Sequence, residues 1–280
     1  MRHSSSLATA LSSSRARGAA LLAVNVFDFE SLSALAREFS NRGTPVIAQF
    51  SARFFSLHEP TEVVAWKRLV ARNRLWLHLD HCADHALFRR CVRAGFDSVM
   101  FDGSGLPLQE NIRESRSAVR IAHRLRGDVL VECEIGHVAG VEDGMGSDHK
   151  QMIPALEDVV SYYHAVQPDT LAVGFGNMHG HYRGNEHFDL ELMRQVAHAL
   201  PRTPLVLHGG SGMDLKIVRR LVCGGHCKLN ISTDLKVAWM DVLKSAAQAG
   251  SPLEACGLLR VRSGAFFRGL RRKYRSILPD

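Results

Sequence analysis

His78-Leu79-Asp80-His81 is the stretch on which the reading of this chain turns. The apolar run Leu75-Trp76-Leu77 precedes it and Ala83-Asp84-His85-Ala86-Leu87-Phe88 follows, so a polar cluster stands where a buried strand hands over to a helix. In a (β/α)8 barrel the C-terminal strand ends carry the chemistry. A carboxylate beside an imidazole at such an end supplies both a proton carrier and a metal ligand. The plainer alternative is a histidine that fills the core and an aspartate that caps the helix. The rest of the chain has to decide between them.

Outward from this stretch, strand-like apolar runs alternate with amphipathic helical stretches along the chain, in eight pairs. Strands are expected at Leu21–Val26, Pro45–Phe50, Leu75–Asp80, Ser98–Asp102, Val129–Ile135, Leu171–Gly174, Pro204–Leu207 and Cys227–Ile231. Gly43, Gly95 and Gly224-Gly225 punctuate helix ends as C-cap glycines do. No charge run or Pro/Ser-rich linker divides the sequence. The expectation is an α/β fold, a (β/α)8 TIM barrel, in a single domain over 1–280, with a leading helix within 1–18 and a C-terminal helical extension over 253–280. A doubly wound open sheet is the alternative, and the missing Gly-x-Gly-x-x-Gly turn after the first strand counts against it.

With 280 residues, 46% hydrophobic and 22% charged, the chain can bury a core of barrel size. No apolar run approaches the ~18 residues of a membrane span and the N-terminus lacks an apolar h-region, so a cytoplasmic protein is expected. Ser4-Ser5-Ser6 and Ser12-Ser13-Ser14 suggest a transit peptide, but Leu7, Ala10 and Leu11 form one helical face. The six cysteines show no disulfide-like framework. Cys223-Gly224-Gly225-His226-Cys227 has the look of a metal knuckle but falls between a helix and the next strand, opposite the expected chemistry. The net charge of +7 and the arginines from Arg268 to Arg275 lack interleaved aromatics, so no nucleic-acid partner is expected.

The strand ends read Asn25, Ser51, Asp80 and His81, Asp102, Glu134, His179, His208 and Asn230. In a barrel all eight ends converge on one pocket, so three imidazoles from different strands can meet there. Three neutral imidazoles with an open fourth position make a catalytic rather than a structural zinc site. Glycines flank two of these histidines, in Gly176-Asn177-Met178-His179-Gly180 and His208-Gly209-Gly210-Ser211-Gly212. With the hydroxyls of Ser211 and Thr233, they have the chemistry of a phosphate nest at the end of strands seven and eight.

At this point the residues resemble the class II, zinc-dependent ketose-bisphosphate aldolases, a family that includes fructose- and tagatose-bisphosphate aldolases. One family motif is similar to Leu75–Cys82, and another to Val131-Glu132-Cys133-Glu134-Ile135-Gly136 followed by Gly140-Val141-Glu142-Asp143-Gly144. Ser98–Ser104, Gly176–Gly180, His208–Gly212 and Leu229–Asp234 also match, in family order and spacing. The resemblance implies that His81, His179 and His208 hold the zinc. It makes Asp80 the acid/base at the C4 oxygen, Glu142 the handler of the C3 proton and Asn230 the support of the enediolate. Asp102 and Glu134 match an alternative or second metal position, or support of the site. Gly180, Gly209, Ser211 and Thr233 match binders of the first phosphate, with a monovalent cation (Na+ or K+) often nearby, and Asn25 and Ser51 match substrate contacts. A homodimer or homotetramer is expected.

The chain departs from the family at Ala139, at Gly105 and in Ala52-Arg53-Phe54-Phe55, where a small turn is usual. Ser232 stands where many fructose-type members have an aspartate, while tagatose-type members have a small residue, and Lys236 matches a cation that meets the far phosphate. The resemblance therefore implies cleavage of a phosphorylated ketose to dihydroxyacetone phosphate and an aldehyde, with tagatose-like or relaxed C4 selectivity. Breaking a bond beside a ketone leaves a carbanion, which enzymes spread onto a lysine Schiff base or a Lewis-acid metal. None of the seven lysines, Lys228 among them, ends a strand as a buried nucleophile, which leaves metal. A non-catalytic phosphosugar-binding barrel, or an aldolase for a different ketose 1-phosphate, is the alternative. His78 has no assigned role, with a satisfied core histidine favoured.

Overall fold

The computed structural model describes residues 6–71, 73–138, 152–180, 182 and 186–279. Eight parallel strands close into a barrel in sequence order, the last pairing back to the first. They are β1 (Leu21–Asn25), β2 (Val46–Ser51), β3 (Leu75–Cys82), β4 (Ser98–Phe101), β5 (Leu130–Ile135), β6 (Thr170–Val173), β7 (Leu205–Leu207) and β8 (His226–Ile231). Helix α1 (Leu7–Ala16) precedes β1. One helix then follows each strand: α2 (Phe29–Glu38), α3 (Pro60–Val70), α4 (His85–Ala94), α5 (Leu108–Leu125), α6 (Leu156–Val166), α7 (Leu190–Ala199), α8 (Leu215–Cys223) and α9 (Thr233–Ala247). Helix α10 (Pro252–Lys273) closes the chain. The (β/α)8 barrel expected from the alternation is the fold.

The strands are apolar on both faces because both faces are covered. Leu22, Val24, Val46, Ala48, Leu75, Leu77 and Leu79 belong to the shell between strands and helices. Their neighbours of opposite phase, Leu21, Ala23, Ile47 and Trp76, form a second cluster with Cys227 and with Leu7 and Leu11 of α1. Helix α1 thus closes the N-terminal end of the barrel, and burying each of its two leucines stabilises the fold by about 1.5–3 kcal/mol. At the other end Asp28, Asp84, Asp189 and Asp214 cap α2, α4, α7 and α8 by accepting backbone N–H bonds of 2.7–2.8 Å. Capping α4 therefore falls to Asp84, and Asp80 belongs to the barrel interior.

Helix α10 packs on α2 and α9 and buries Phe267 and Leu270, with Tyr274 buried just beyond its end. Its basic face is partly spent within the chain: Arg268 Nη1 lies 2.9 Å from the buried carboxylate of Glu38, and Lys273 Nζ 3.1 Å from Asp234. The Cys223–Cys227 stretch is no metal knuckle, since Cys223 is exposed, Cys227 is buried, and the His226 ring donates its Nδ1–H to Leu221 O at 3.0 Å.

One strand differs from expectation in a way that matters. β3 runs through the polar cluster to Cys82 instead of ending at Asp80, and its register against β4 shifts between Leu79 and Cys82. His81 sits there at φ +44°, a left-handed conformation that non-glycine residues seldom adopt. In a regular strand Asp80 and His81 would face opposite sides; the bulge turns both toward the barrel interior.

Candidate active site

The expected strand-end residues gather at the C-terminal mouth. His81, His179 and His208 place one nitrogen each within 4.8 Å of the others, the one such group of His, Cys, Asp or Glu ligands among the described residues. His208 Nδ1 lies 3.0 Å from His81 Nε2. The far nitrogen of each of these two rings is held by a carboxylate: His81 Nδ1 is 2.7 Å from Asp102 Oδ2, and His208 Nε2 is 2.9 Å from Glu132 Oε1. Those carboxylates accept the outer ring protons, so each inner nitrogen offers a lone pair once the proton shared between them is displaced. This is the donor set of a histidine-rich metal site, with an outer carboxylate fixing each tautomer. The side chains present therefore fit a zinc-type ion.

Burial disfavours charge on every group here, and the neighbours decide the rest. Burial opposes protonation of His81, but the charges of Asp80 and Asp102 hold its pKa well above the usual imidazole value. His208 is lowered to about 4, chiefly by burial. Glu134 is raised to about 8 by burial and by the charge of Asp102, and its Oε2 lies 3.4 Å from His208 Nδ1. Asp102 stays well below the carboxylate range despite burial, because His81 donates to it.

Asp80 is fully buried and ringed by amides. Gln49 Nε2 donates to its Oδ2 at 3.2 Å, Asn25 Nδ2 to the same oxygen at 3.4 Å, and Asn230 Nδ2 to Oδ1 at 3.3 Å. Ser51 ends β2 directly across from Asp80 in the strand register. Asn230 Oδ1, Gln49 Oε1 and Ser232 Oγ are buried and make no hydrogen bond. Buried polar atoms are rarely left so, and the acceptors of Asn230 and Ser232 at the mouth suit a hydroxylated ligand.

The two glycine-rich turns lie side by side. Gly209 has φ +67° and comes so close to Met178 that a Cβ there would stand 2.2 Å from its carbonyl oxygen. Asn177 Nδ2 donates to His208 O at 3.0 Å, which ties the turn carrying His179 and Gly180 to the end of β7. Ser211 Oγ accepts the backbone N–H groups of Ser232 and Asp234 at 3.2 and 3.3 Å, joining the second turn to the start of α9. Thr233 opens that helix and Lys236 lies on its first turn, where the helix dipole favours an anion. Glu142 lies outside the described residues, as do Ala139 and Gly140.

Four residues escaped the strand-end reading. Beneath the mouth, Ser98 Oγ bonds His78 Nδ1 at 2.7 Å, and His78 Nε2 meets Lys228 Nζ at 3.0 Å. Lys228 donates to Glu132 Oε2 at 2.6 Å, and Gln49 sits at the same level. His78 is thus a satisfied interior histidine, as expected. Lys228, however, is buried inside the barrel, which listing lysines at strand ends did not reveal. It is held by Glu132, whose carboxyl stays well below its usual range because burial is outweighed by the Lys228 ammonium together with the His78 and His208 rings. A signal was available: each of Gln49, His78, Glu132 and Lys228 lies two residues before a strand-end residue already singled out, hence on the same face one layer down.

A closed parallel barrel that gathers histidines and acid/base groups at its C-terminal mouth is the frame of an enzyme. The model of class II fructose-bisphosphate aldolases matches residues 5–268. Among curated proteins, the D-tagatose-1,6-bisphosphate aldolase subunit GatY of Klebsiella oxytoca is 34% identical over 233 residues, 81% of this chain and 80% of that protein. The chain belongs to the class II fructose-bisphosphate aldolase family and is a carbon–carbon lyase. A solved structure from Coccidioides immitis has a TM-score of 0.85 at 24% identity, covering 96% of this chain and 95% of that one. The YdjI aldolase of Escherichia coli K12 has a TM-score of 0.82 at 23%, covering 98% of each. At these identities the likeness bears on the fold alone.

Proposed function

We propose that this aldolase is zinc-dependent and reversibly cleaves a phosphorylated ketose, of the tagatose or fructose 1,6-bisphosphate type, into dihydroxyacetone phosphate and an aldehyde. The observation that carries the reading is the convergence of three imidazole nitrogens within 4.8 Å, beside a fully buried Asp80. Zinc bound to His81, His179 and His208 would supply Lewis acidity to a ketose carbonyl as the carbon–carbon bond breaks. Asp102 and Glu132 orient two of the rings, and Glu134 supports the site or offers an alternative metal position.

Asp80 takes the proton from the C4 hydroxyl; Asn25, Gln49 and Asn230 hold its carboxylate in place. Asn230, whose Nδ2 donates to Asp80 Oδ1 and whose buried Oδ1 makes no hydrogen bond, steadies the enediolate side of the substrate. Glu142 carries the C3 proton. Gly180, Gly209, Ser211 and Thr233 receive the first phosphate with backbone N–H groups and hydroxyls at the start of α9, with Na+ or K+ beside it. Asn25 and Ser51 contact the sugar, and Ser232 and Lys236 meet its far half. The family relative named for tagatose bisphosphate supports a tagatose-like preference. The chain acts as a single catalytic domain in a homodimer or homotetramer, in which the half-exposed Val237, Met240 and Leu243 of α9 offer an apolar face. The test is incubation with a panel of ketose 1-phosphates and bisphosphates while triose phosphate release is followed. Binding without release by any member would favour the non-catalytic alternative instead.

A further inference from the structure

Two layers of polar side chains fill the upper barrel, and the lower one reaches His208 through the carboxylate of Glu132 and Asp80 through the amide of Gln49. Glu132 Oε2 accepts from Lys228 Nζ at 2.6 Å and from Thr170 Oγ1 at 3.2 Å, while Oε1 meets His208 Nε2 at 2.9 Å. Lys228 is anchored in turn by His78 Nε2 at 3.0 Å, and His78 by Ser98 at 2.7 Å.

We infer that Lys228 and Glu132 are positioning residues that select the His208 tautomer and so keep its Nδ1 bare for the metal. Counting donors and acceptors gives the reason. An ammonium has only hydrogens to offer, so it claims Oε2 as an acceptor and needs a lone pair on His78 Nε2; that sends the His78 proton to Nδ1 and on to Ser98. Oε1 of the same carboxylate is also acceptor-only, so His208 must present Nε2–H to it. With its proton spent there, His208 turns an unprotonated Nδ1 toward His81 Nε2, 3.0 Å away. The backbone beneath the ring is anchored as well, since His208 O accepts from Asn177 Nδ2 at 3.0 Å. One buried positive charge thus sets, through a single carboxylate, which His208 nitrogen stays bare for the metal.

This inference rests on the zinc reading, and its test separates the two. Zn2+ affinity is measured by competition with a chromophoric chelator for the wild type, His179→Ala, Glu132→Gln and the double variant Lys228→Met/Glu132→Gln. Circular dichroism confirms folding of each. In Glu132→Gln the retained lysine claims the amide oxygen, which leaves the NH2 group facing His208 Nε2. The histidine proton is then driven to Nδ1, into the metal position. Affinity should fall about 10–100-fold, the range for loss of a residue that orients a metal ligand. Removing Lys228 as well frees the amide to turn its oxygen to His208, so the double variant should bind zinc more tightly than Glu132→Gln. A merely structural ion pair predicts the reverse order, with the double variant no better than the single one. Ring 15N spectra of the zinc-loaded wild type should show His208 protonated at Nε2. A double variant equal to or weaker than Glu132→Gln, a Glu132→Gln affinity within about threefold of wild type, or a proton on Nδ1 would overturn the inference. If instead the wild type binds no zinc, or His179→Ala binds it as well as wild type does, the zinc reading itself fails.

Discussion

His208 Nδ1 and His81 Nε2 face each other at 3.0 Å across 127 residues of sequence, and the opposite nitrogen of each ring is committed to a carboxylate. Two lone pairs at that distance require a proton or a cation between them. The charges of Asp80 and Asp102 hold the pKa of His81 well above the usual imidazole value against burial, which favours a proton in that place in the metal-free protein. Zinc uptake should therefore release a proton, and apparent affinity should rise with pH. Titration calorimetry in buffers of different ionisation enthalpy measures the release; its absence at pH 7 would contradict the assignment. Zinc at a hundredfold over its Kd should stabilise the fold by about 2.7 kcal/mol. EDTA should abolish cleavage, Zn2+ should restore it, and borohydride should trap no substrate adduct.

The two proton carriers should separate by isotope exchange. Asp80→Asn should lose cleavage by about 10²–10⁴-fold yet still exchange the C3 proton of dihydroxyacetone phosphate with solvent. Glu142→Ala should lose that exchange. Equal, wild-type exchange in both variants would show that the division of roles is wrong.

Choice of sugar should reside at the start of α9. Ser232 Oγ is buried and unpaired, and a one-carbon hydroxyl imposes less C4 preference than a carboxylate that pairs with one epimer and is left unpaired by the other. The wild type should cleave tagatose 1,6-bisphosphate at least as well as fructose 1,6-bisphosphate by kcat/KM. Ser232→Asp should shift the ratio toward fructose by about tenfold or more. Lys236→Ala should raise KM for both. A strong fructose preference in the wild type, or an unchanged ratio in Ser232→Asp, would remove this turn from specificity.

Stability against acid should depend on His226, far from the mouth. Burial lowers its pKa to about 4, partly offset by its bond to Leu221 O. An unfolded imidazole takes up a proton near pH 6.5 whereas the folded one does not until near 4. The neutral ring's contribution is thus complete above the unfolded value and lost as pH falls toward the folded one. Between pH 7.5 and pH 5 this group alone should cost about 2 kcal/mol of stability. Urea unfolding at both pH values should show a smaller decline for His226→Leu than for the wild type. Parallel declines would mean that His226 does not sense pH.

Alternation of apolar runs with amphipathic stretches was enough to write down eight strands, because a strand buried on both faces and a helix buried on one leave different periods in the chain. The polar residues at strand ends were visible for the same reason: polarity that interrupts an apolar run has to be accounted for. Asn25, Asp80, His81, His208 and Asn230 were singled out on that ground, and the barrel brings them together. Gln49, Glu132 and Lys228 carry no such mark, although their spacing places them on the inward face. A polar residue within a strand reads as surface until the strand is known to be closed into a barrel.

The sequence by itself determined the order of elements, the barrel and the residue types at its mouth, since these follow from local period and from one topological rule. Tertiary structure alone decided the relations that depend on direction. The bulge that turns both Asp80 and His81 inward, at φ +44°, cannot be read from a four-residue string whose regular phase would separate them. Nor does spacing reveal that Lys228 answers Glu132, 96 residues earlier, since a hydrogen bond is fixed by the angle and separation of two side chains once the barrel has closed.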